Sequence, residues 1–213
     1  GLGVIFSEAT LSPTIETSIG TGASITAGEI TLQSLHNVNA DGSMVANHGA
    51  EAYASASGGG IVNGQGAVPT ATANAHVATE VAAGATLVAT GNVSVLSQAS
   101  NSATVDATAI SIGAGALGAS IATATATGDT TSAMNGSILQ ATGLTVLARG
   151  VSDSDAHAEA SGGGLISAML PLASSAAAPR VTARIGDGSQ AAAVNATGGV
   201  SLVAQAESDA NAN

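Results

Sequence analysis

The feature that most constrains the fold of this chain is a repeat of about 50–57 residues, which occurs four times in 213 residues. Each copy opens on a glycine cluster and later carries a small residue and a glycine before an alternating segment. In the second copy these landmarks are Gly58–Gly60 and Ala89-Thr90-Gly91-Asn92-Val93-Ser94-Val95. Repeat periods above about 20 residues are typical of solenoids, propellers and arrays. We therefore treat the chain as one stacked array, with modules at 1–57, 58–112, 113–161 and 162–213.

The glycines of both landmarks are predicted to form turns, because glycine adopts positive φ without a steric penalty. The predicted turn residues are Gly58, Gly59, Gly60, Gly113, Gly115, Gly162, Gly163 and Gly164 at the module openings, and Gly28, Gly91, Gly143 and Gly198 before the alternating segments.

Between the turns the sequence alternates with a period of two, as in Ile121-Ala122-Thr123-Ala124-Thr125-Ala126-Thr127. This pattern predicts strands, since the interleaved threonines are poor helix formers and no apolar stripe of helical period can be drawn. Each module is expected to supply about three strands separated by glycine or Asn/Asp turns. Stacked modules would bury a continuous strip of small and branched side chains. The prediction is an all-β fold, a β-solenoid (β-helix) in which each module forms one large coil or two smaller ones.

The apolar residues are small, and this predicts a thin core. Aromatic residues make up only 1% of the chain, as Phe6 and Tyr53. A deep catalytic pocket is difficult to build from such material, and no Ser/His/Asp set stands out, so we expect no enzyme activity. The segment Gly113–Gly118 matches a dinucleotide-binding pattern, but that site needs a helix where the sequence predicts a strand. The histidines lack zinc-ligand spacing and are expected at the surface; they are His36, His48, His76 and His157.

The charge is strongly acidic, with 3 Lys+Arg, 14 Asp+Glu and a net charge of −11. Nucleic-acid binding needs a basic face, so no nucleic-acid partner is expected. Membrane insertion is not expected either, because no clean run of about 18 apolar residues occurs. The absence of cysteine excludes a disulfide scaffold. The Gly-Leu-Gly start leads us to expect a processed or internal piece of a longer protein.

Acidic residues are predicted to cluster in a polar turn of each module and to form columns along one edge of the stack. Oxygen-rich turns are where calcium binds, although neither a G-G-x-G-x-D repeat nor an EF-hand loop is present. The alternative is a solvated edge that prevents lateral aggregation. No other cofactor is expected. The calcium candidates are Asp41, Asp106, Asp153, Asp155, Glu207 and Asp209.

A threonine rank gives a further binding hypothesis. Thr123, Thr125 and Thr127 alternate as in the Thr-x-Thr ranks of β-solenoid ice-binding proteins, and Thr70 and Thr72 supply a second row. In the fourth module Thr182 stands alone, so the pattern is broken. A ligand-binding solenoid that grips glycan, calcium or ice through one polar rank is the alternative function.

The Ala-Thr-Gly-x-Val-x-Val landmark, the Gly-Gly-Gly opener and the Ala-x-Ala-x-Ala runs together resemble the repeats of giant bacterial exoproteins. These are the filamentous-haemagglutinin-like and leukotoxin-type adhesins and related autotransporter passengers. The resemblance implies a right-handed β-solenoid, export to the cell surface, and a structural or adhesive role. The expected partners are neighbouring repeats or further copies end to end, and host-cell or surface glycans.

Overall fold

The computed structural model describes residues 1–45, 48–187 and 192–213. Within these ranges the chain is all-β, and its parallel strands stack in register as a β-solenoid, which confirms the predicted fold class. The strands of the first two coils are β1 Leu2–Leu11, β2 Thr14–Ile19, β3 Ser24–Ala27, β4 Ile30–His36, β5 Ala50–Gly59, β6 Val62–Val81, β7 Thr86–Ala89 and β8 Val93–Ile112. Those of the last two are β9 Gly115–Met134, β10 Ser137–Ala141, β11 Leu144–Gly163, β12 Ile166–Ile185, β13 Val194–Ala196 and β14 Val200–Ala212.

Each repeat forms one large coil, and equivalent strands of successive coils build three parallel sheets. The front sheet contains β1, β2, β6, β9 and β12; the short end sheet contains β3, β7, β10 and β13; the back sheet contains β4, β5, β8, β11 and β14. The register is regular over the long strands, for example with Thr72 beside Thr125 and Val105 beside Ala156.

The coil is flat because the front and back sheets pack face to face along their length. A full-length strand has 20 residues, which at about 3.3 Å per residue spans about 66 Å. At one edge residues 113–114 return the chain directly from β8 to β9, and at the other edge the end sheet separates the two long sheets. The coil cross-section is therefore a wedge, narrow at the tight turn and wide at the end sheet.

The core follows this wedge. At the wide edge, fully buried large residues fill the space between three sheets, among them Leu87, Met134, Ile138 and Leu144. Towards the narrow edge the core cluster consists of alanines apart from Val105. Two facing rows of alanine let the sheets approach closely, so residue size sets the spacing between them.

Hydroxyl groups join the sheets where the core changes from large to small residues. Thr79 Oγ1 donates to the Leu96 carbonyl at 2.8 Å, and Ser97 Oγ donates across to the Thr131 carbonyl at 2.7 Å. Thr17 makes the equivalent bond in the first coil and Ser132 in the third. These bonds satisfy buried hydroxyls that would otherwise destabilise the core.

This arrangement corrects the prediction of a polar turn in the middle of each module. In the second and third coils the region is continuous strand, as parts of β8 and β11. Every second residue of this region faces the core, including the polar residues Ser97 and Asn101. The side-chain oxygen Oδ1 of Asn101 accepts a hydrogen bond from the Ala75 amide at 3.0 Å. Two of the expected short strands therefore merge into one long strand, while the short strands of the end sheet were not predicted. In the first coil β4 ends at His36 and β5 begins at Ala50, and the described residues between them, 37–45 and 48–49, form a loop.

The landmark glycines divide into two groups. Gly28, Gly60, Gly91, Gly113, Gly143, Gly164 and Gly198 lie in turns as predicted, whereas Gly58, Gly59, Gly115, Gly162 and Gly163 lie in the ends of strands.

The physical requirement for glycine in these turns is close approach between coils. A Cβ on Gly164 would overlap the Gly113 carbonyl of the coil before it, and a Cβ on Gly113 would overlap that of Gly60. Among the landmark turn glycines Gly60 also has a positive φ, of 155°, and Gly22 and Gly84 in the turns that precede the end sheet have φ of 75° and 81°. At the strand ends, Gly162 leaves room for the side chain of Met169.

Candidate binding surfaces

The back sheet carries an acidic surface on its outer face. Asp153 lies beside Asp209 of the next coil, Asp155 follows on the same face of β11, and Glu207 precedes Asp209 on the same face of β14. All four lie within strands, so the prediction that they occupy turns is wrong. Alternation along β11 and β14 places them on one surface. Stacking pairs acidic residues only at Asp153 and Asp209, because Asp155 lies beside Asn211 and Thr104, so the continuous acidic columns that the sequence predicted do not form among the described residues.

The remaining calcium candidates lie elsewhere. Asp106 is on β8 beside His157 and Tyr53 of the neighbouring coils, and its Oδ1 accepts a bond from Thr108 at 3.5 Å. Asp41 is in the loop of the first coil, where its Oδ1 accepts bonds from the backbone and hydroxyl of Ser43, which lower its pKa. Among the described residues no group of three or more His, Cys, Asp or Glu side chains is arranged to hold a metal ion. Calcium binding stays an untested prediction.

The Asp153 carboxyl is the most perturbed group of this surface. Partial burial raises its pKa, and the charges of Asp155 and Asp209 raise it further. A raised folded-state pKa means that the folded protein binds this proton more tightly than the unfolded chain does. Ionised Asp153 therefore destabilises the fold at neutral pH, and stability recovers as the pH falls through its raised pKa.

We expect Asp153→Asn to raise the Tm at pH 7 by about 1–2 °C, a small effect because solvent screens exposed charges. The gain should shrink as the pH falls through the raised pKa of Asp153, because the wild-type carboxyl is then protonated as well. Thermal unfolding followed by circular dichroism from pH 4 to 8 measures both effects. Glu8→Gln, which removes one charge from the front sheet, is the matched control. An equal gain in both variants would show that net charge alone is responsible.

One arginine ties the acidic surface to the loop of the first coil. Arg149 of β11 donates to the Gly42 carbonyl at 3.2 Å through Nη1, and its Nη2 lies 3.5 Å from Glu207 Oε1. Its Nε is buried without a hydrogen-bond partner among the described residues. The loop thus reaches from the first coil across the second to the third. Sequence reasoning did not identify Arg149 because the contact joins residues that are 107 positions apart.

One histidine departs from the expected surface location. His36 is 8% exposed, and burial lowers its pKa. His76, on the front sheet, lies at the surface with Nε2 3.7 Å from Glu16 Oε1.

The predicted threonine rows are in register on the outer face of the front sheet. Thr70 lies beside Thr123 and Thr72 beside Thr125, and Thr10 extends the second row into the first coil. In the fourth coil Ser174 and Ala176 occupy these positions, so the array ends at the third coil.

A contiguous apolar patch covers the outer face of the front sheet beside the narrow edge. Leu2, Phe6 and Ile166 are 85%, 74% and 77% exposed, and no charged side chain interrupts the area. A groove of about 470 Å³ crosses it, with Gly64 and Gly66 in its floor. The patch consists of Leu2, Val4, Phe6, Val62, Gly64, Gly66, Val68, Gly115, Leu117, Ala119, Ile121, Ile166, Ala168, Leu170 and Leu172.

Sequence reasoning missed this patch. Its residues come from four segments about 50–60 positions apart, and each segment contributes only three or four of them. The signal was present: shortly after its glycine cluster, every module has at least two large apolar residues an even number of positions apart. Reading them as an outer face required the register between coils, which the sequence does not provide.

No protein-family model matches the chain, and comparison with curated proteins and with solved structures found no significant match. The resemblance to bacterial exoprotein repeats and the right-handed coil therefore stay predictions. The described part of the chain contains no helix long and apolar enough to cross a membrane.

Proposed function

We propose that this chain is a structural segment of an extracellular bacterial surface fibre or adhesin, and that its coils stack end to end into a longer filament. The observation that carries the proposal is the continuous parallel register of three sheets through four coils. Such a ladder has no internal feature that limits its length, because each added coil repeats the same backbone pairing.

The two end coils support stacking. The outer edges of β12 and β14, and those of β1 to β5 at the other end, pair with no strand among the described residues. Unpaired edges are templates for further strands. The core-facing residues of the two end coils are also alike. Val200 and Leu202 in the last coil lie in the same register positions as Ile30 and Leu32 in the first coil. A first coil placed on a last coil would continue the apolar core.

Electron microscopy tests this proposal directly. Four coils at about 4.8 Å per coil are about 19 Å tall, whereas one coil is about 66 Å wide, so an isolated chain is a flat plate. We expect negative-stain images of concentrated protein at neutral pH to show filaments of uniform width, and aligned filaments to give a meridional reflection near 4.8 Å. Adding calcium tests whether the acidic surface contributes.

Plates that never lengthen at any concentration would contradict self-stacking. The cell-surface location has its own test, antibody labelling of intact cells of the source bacterium. Labelling only after permeabilisation would contradict it. The alternative function, in which one polar rank binds glycan, calcium or ice, stays a prediction; the registered threonine rows are the feature that favours it.

A further inference from the structure

We propose that the apolar patch of the front sheet is a lateral docking surface for a second copy of this chain, so that stacked coils also pair side by side. This goes beyond the proposed function, which concerns growth along the stacking axis. The patch faces sideways, at right angles to the stacking axis, and the strength of pairing through it rests in part on the proposed stacking.

The charge distribution favours self-pairing. The chain carries a net charge of −11, and the outer face of the back sheet is acidic. The apolar patch, in contrast, contains only uncharged residues, and the nearest acidic side chain on its strands is Glu8 at its border in the first coil. Two copies can therefore meet here without burying a charge, while repulsion opposes contact through their back sheets. An anionic lipid surface would bring its charges directly against this face, whereas a second copy presents an uncharged patch there.

The surface shape of the patch is self-complementary, with a groove beside a ridge. Gly64 and Gly66 lack side chains, so the sheet surface is low at these positions and a groove forms there. The side chains of Leu2 and Val4 from the first coil lean over the two glycines. Beside the groove runs a ridge formed by one large side chain from each coil, namely Phe6, Val68, Ile121 and Leu172. Packed sheets interdigitate their side chains at a spacing of about 10 Å. Two-fold symmetry places the ridge of each copy over the groove of the other.

The size of the patch sets the expected strength. Seven residues along the strands and four coils across give a projected area of about 450 Å². Stable complexes bury about 800 Å² on each partner. One chain therefore pairs weakly, and two stacked chains in each partner reach the required area. Lateral pairing and axial stacking should reinforce each other.

Cross-linking of single-cysteine variants tests the proposal, because the natural chain has no cysteine. Ala119→Cys places a thiol at the centre of the patch, and Thr104→Cys places one on the outer face of the back sheet. With a bismaleimide linker that spans about 10 Å, the sheet spacing, we expect Ala119→Cys to form dimers roughly ten-fold faster or more than Thr104→Cys, since pairing raises the effective thiol concentration.

The variant Leu117→Glu in the Ala119→Cys background should reduce cross-linking to the level of Thr104→Cys. Leu117 is 57% exposed, so its replacement leaves the core intact, and an unchanged Tm confirms folding. Equal cross-linking of the two thiols, or no effect of Leu117→Glu, would overturn the proposal. So would Ala119→Cys protein that binds phosphatidylcholine vesicles and does not cross-link.

Filament images separate this proposal from the previous one. Leu117→Glu should narrow paired filaments to single ones and leave the axial repeat near 4.8 Å unchanged. If the particles instead became shorter but stayed paired, the result would contradict axial stacking and not lateral pairing.

Discussion

Replacing Ala124 with leucine is expected to destabilise the fold by about 2–3 kcal/mol, at the upper end of overpacking costs. Ala124 is 1% exposed and belongs to the cluster in which both long sheets contribute almost only alanine. A globular core can accommodate three extra carbons by local shifts. Here the facing sheets are continuous through all four coils, so a local widening must bend several strands or break the hydroxyl bonds between the sheets.

The neighbouring residue provides the control. Thr125 points to the outer face of the same strand, in register with Thr72 and Ala176. Thr125→Leu places the same leucine side chain on the solvent side, and we expect a change within about 0.5 kcal/mol. Urea unfolding of both variants measures the difference. Similar stabilities would mean that the sheets are not closely packed at the narrow edge.

The opposite substitution should be most damaging at the wide edge. Ile138→Ala is expected to lower the free energy of unfolding by about 3–4 kcal/mol, through lost burial and an unfilled cavity. Ile138 is fully buried among three sheets, with Leu87 and Val194 beside it in the neighbouring coils. Rigid strands on all sides limit collapse into the space.

The next residue is again the control, because Leu139 is 55% exposed on the outer face of β10. Leu139→Ala removes a side chain of similar size, and we expect a loss below about 1 kcal/mol. A small loss for Ile138→Ala would show that the end sheet moves inward to fill the space. The two pairs together test whether the coil is wide at one edge and narrow at the other.

The repeat period and the period-two alternation were enough to predict the fold class, because both reflect backbone geometry that every coil must share. The strand limits were harder. Ser97 and Asn101 carry the residue types of a turn, yet each is buried and hydrogen-bonded in the middle of β8. Turn propensity describes a residue in solvent, whereas these side chains find partners on the facing sheet. Those hydrogen-bond partners are distant in sequence, and which residue becomes the partner depends on where the coil turns back on itself.

The surfaces show the same limit. Acidic residues and threonines could be selected by type, and stacking explains the threonine rows and the pair Asp153–Asp209. Which residues share a face depends on the offset between coils, and this offset changes from 62 to 53 to 51 residues along the front sheet. The patch and the contact of Arg149 with the loop both rest on these offsets.

The flat cross-section has a mechanical consequence. For a ribbon of rectangular cross-section, the ratio of the two bending stiffnesses is the square of the ratio of width to thickness. With a coil about 66 Å wide and about 20 Å thick, bending within the plane of the sheets is roughly ten times harder than bending towards either face. A filament of such coils bends easily towards either sheet face and resists bending within the plane of the sheets. Pairing two filaments face to face would double the thickness and bring the two bending stiffnesses closer together.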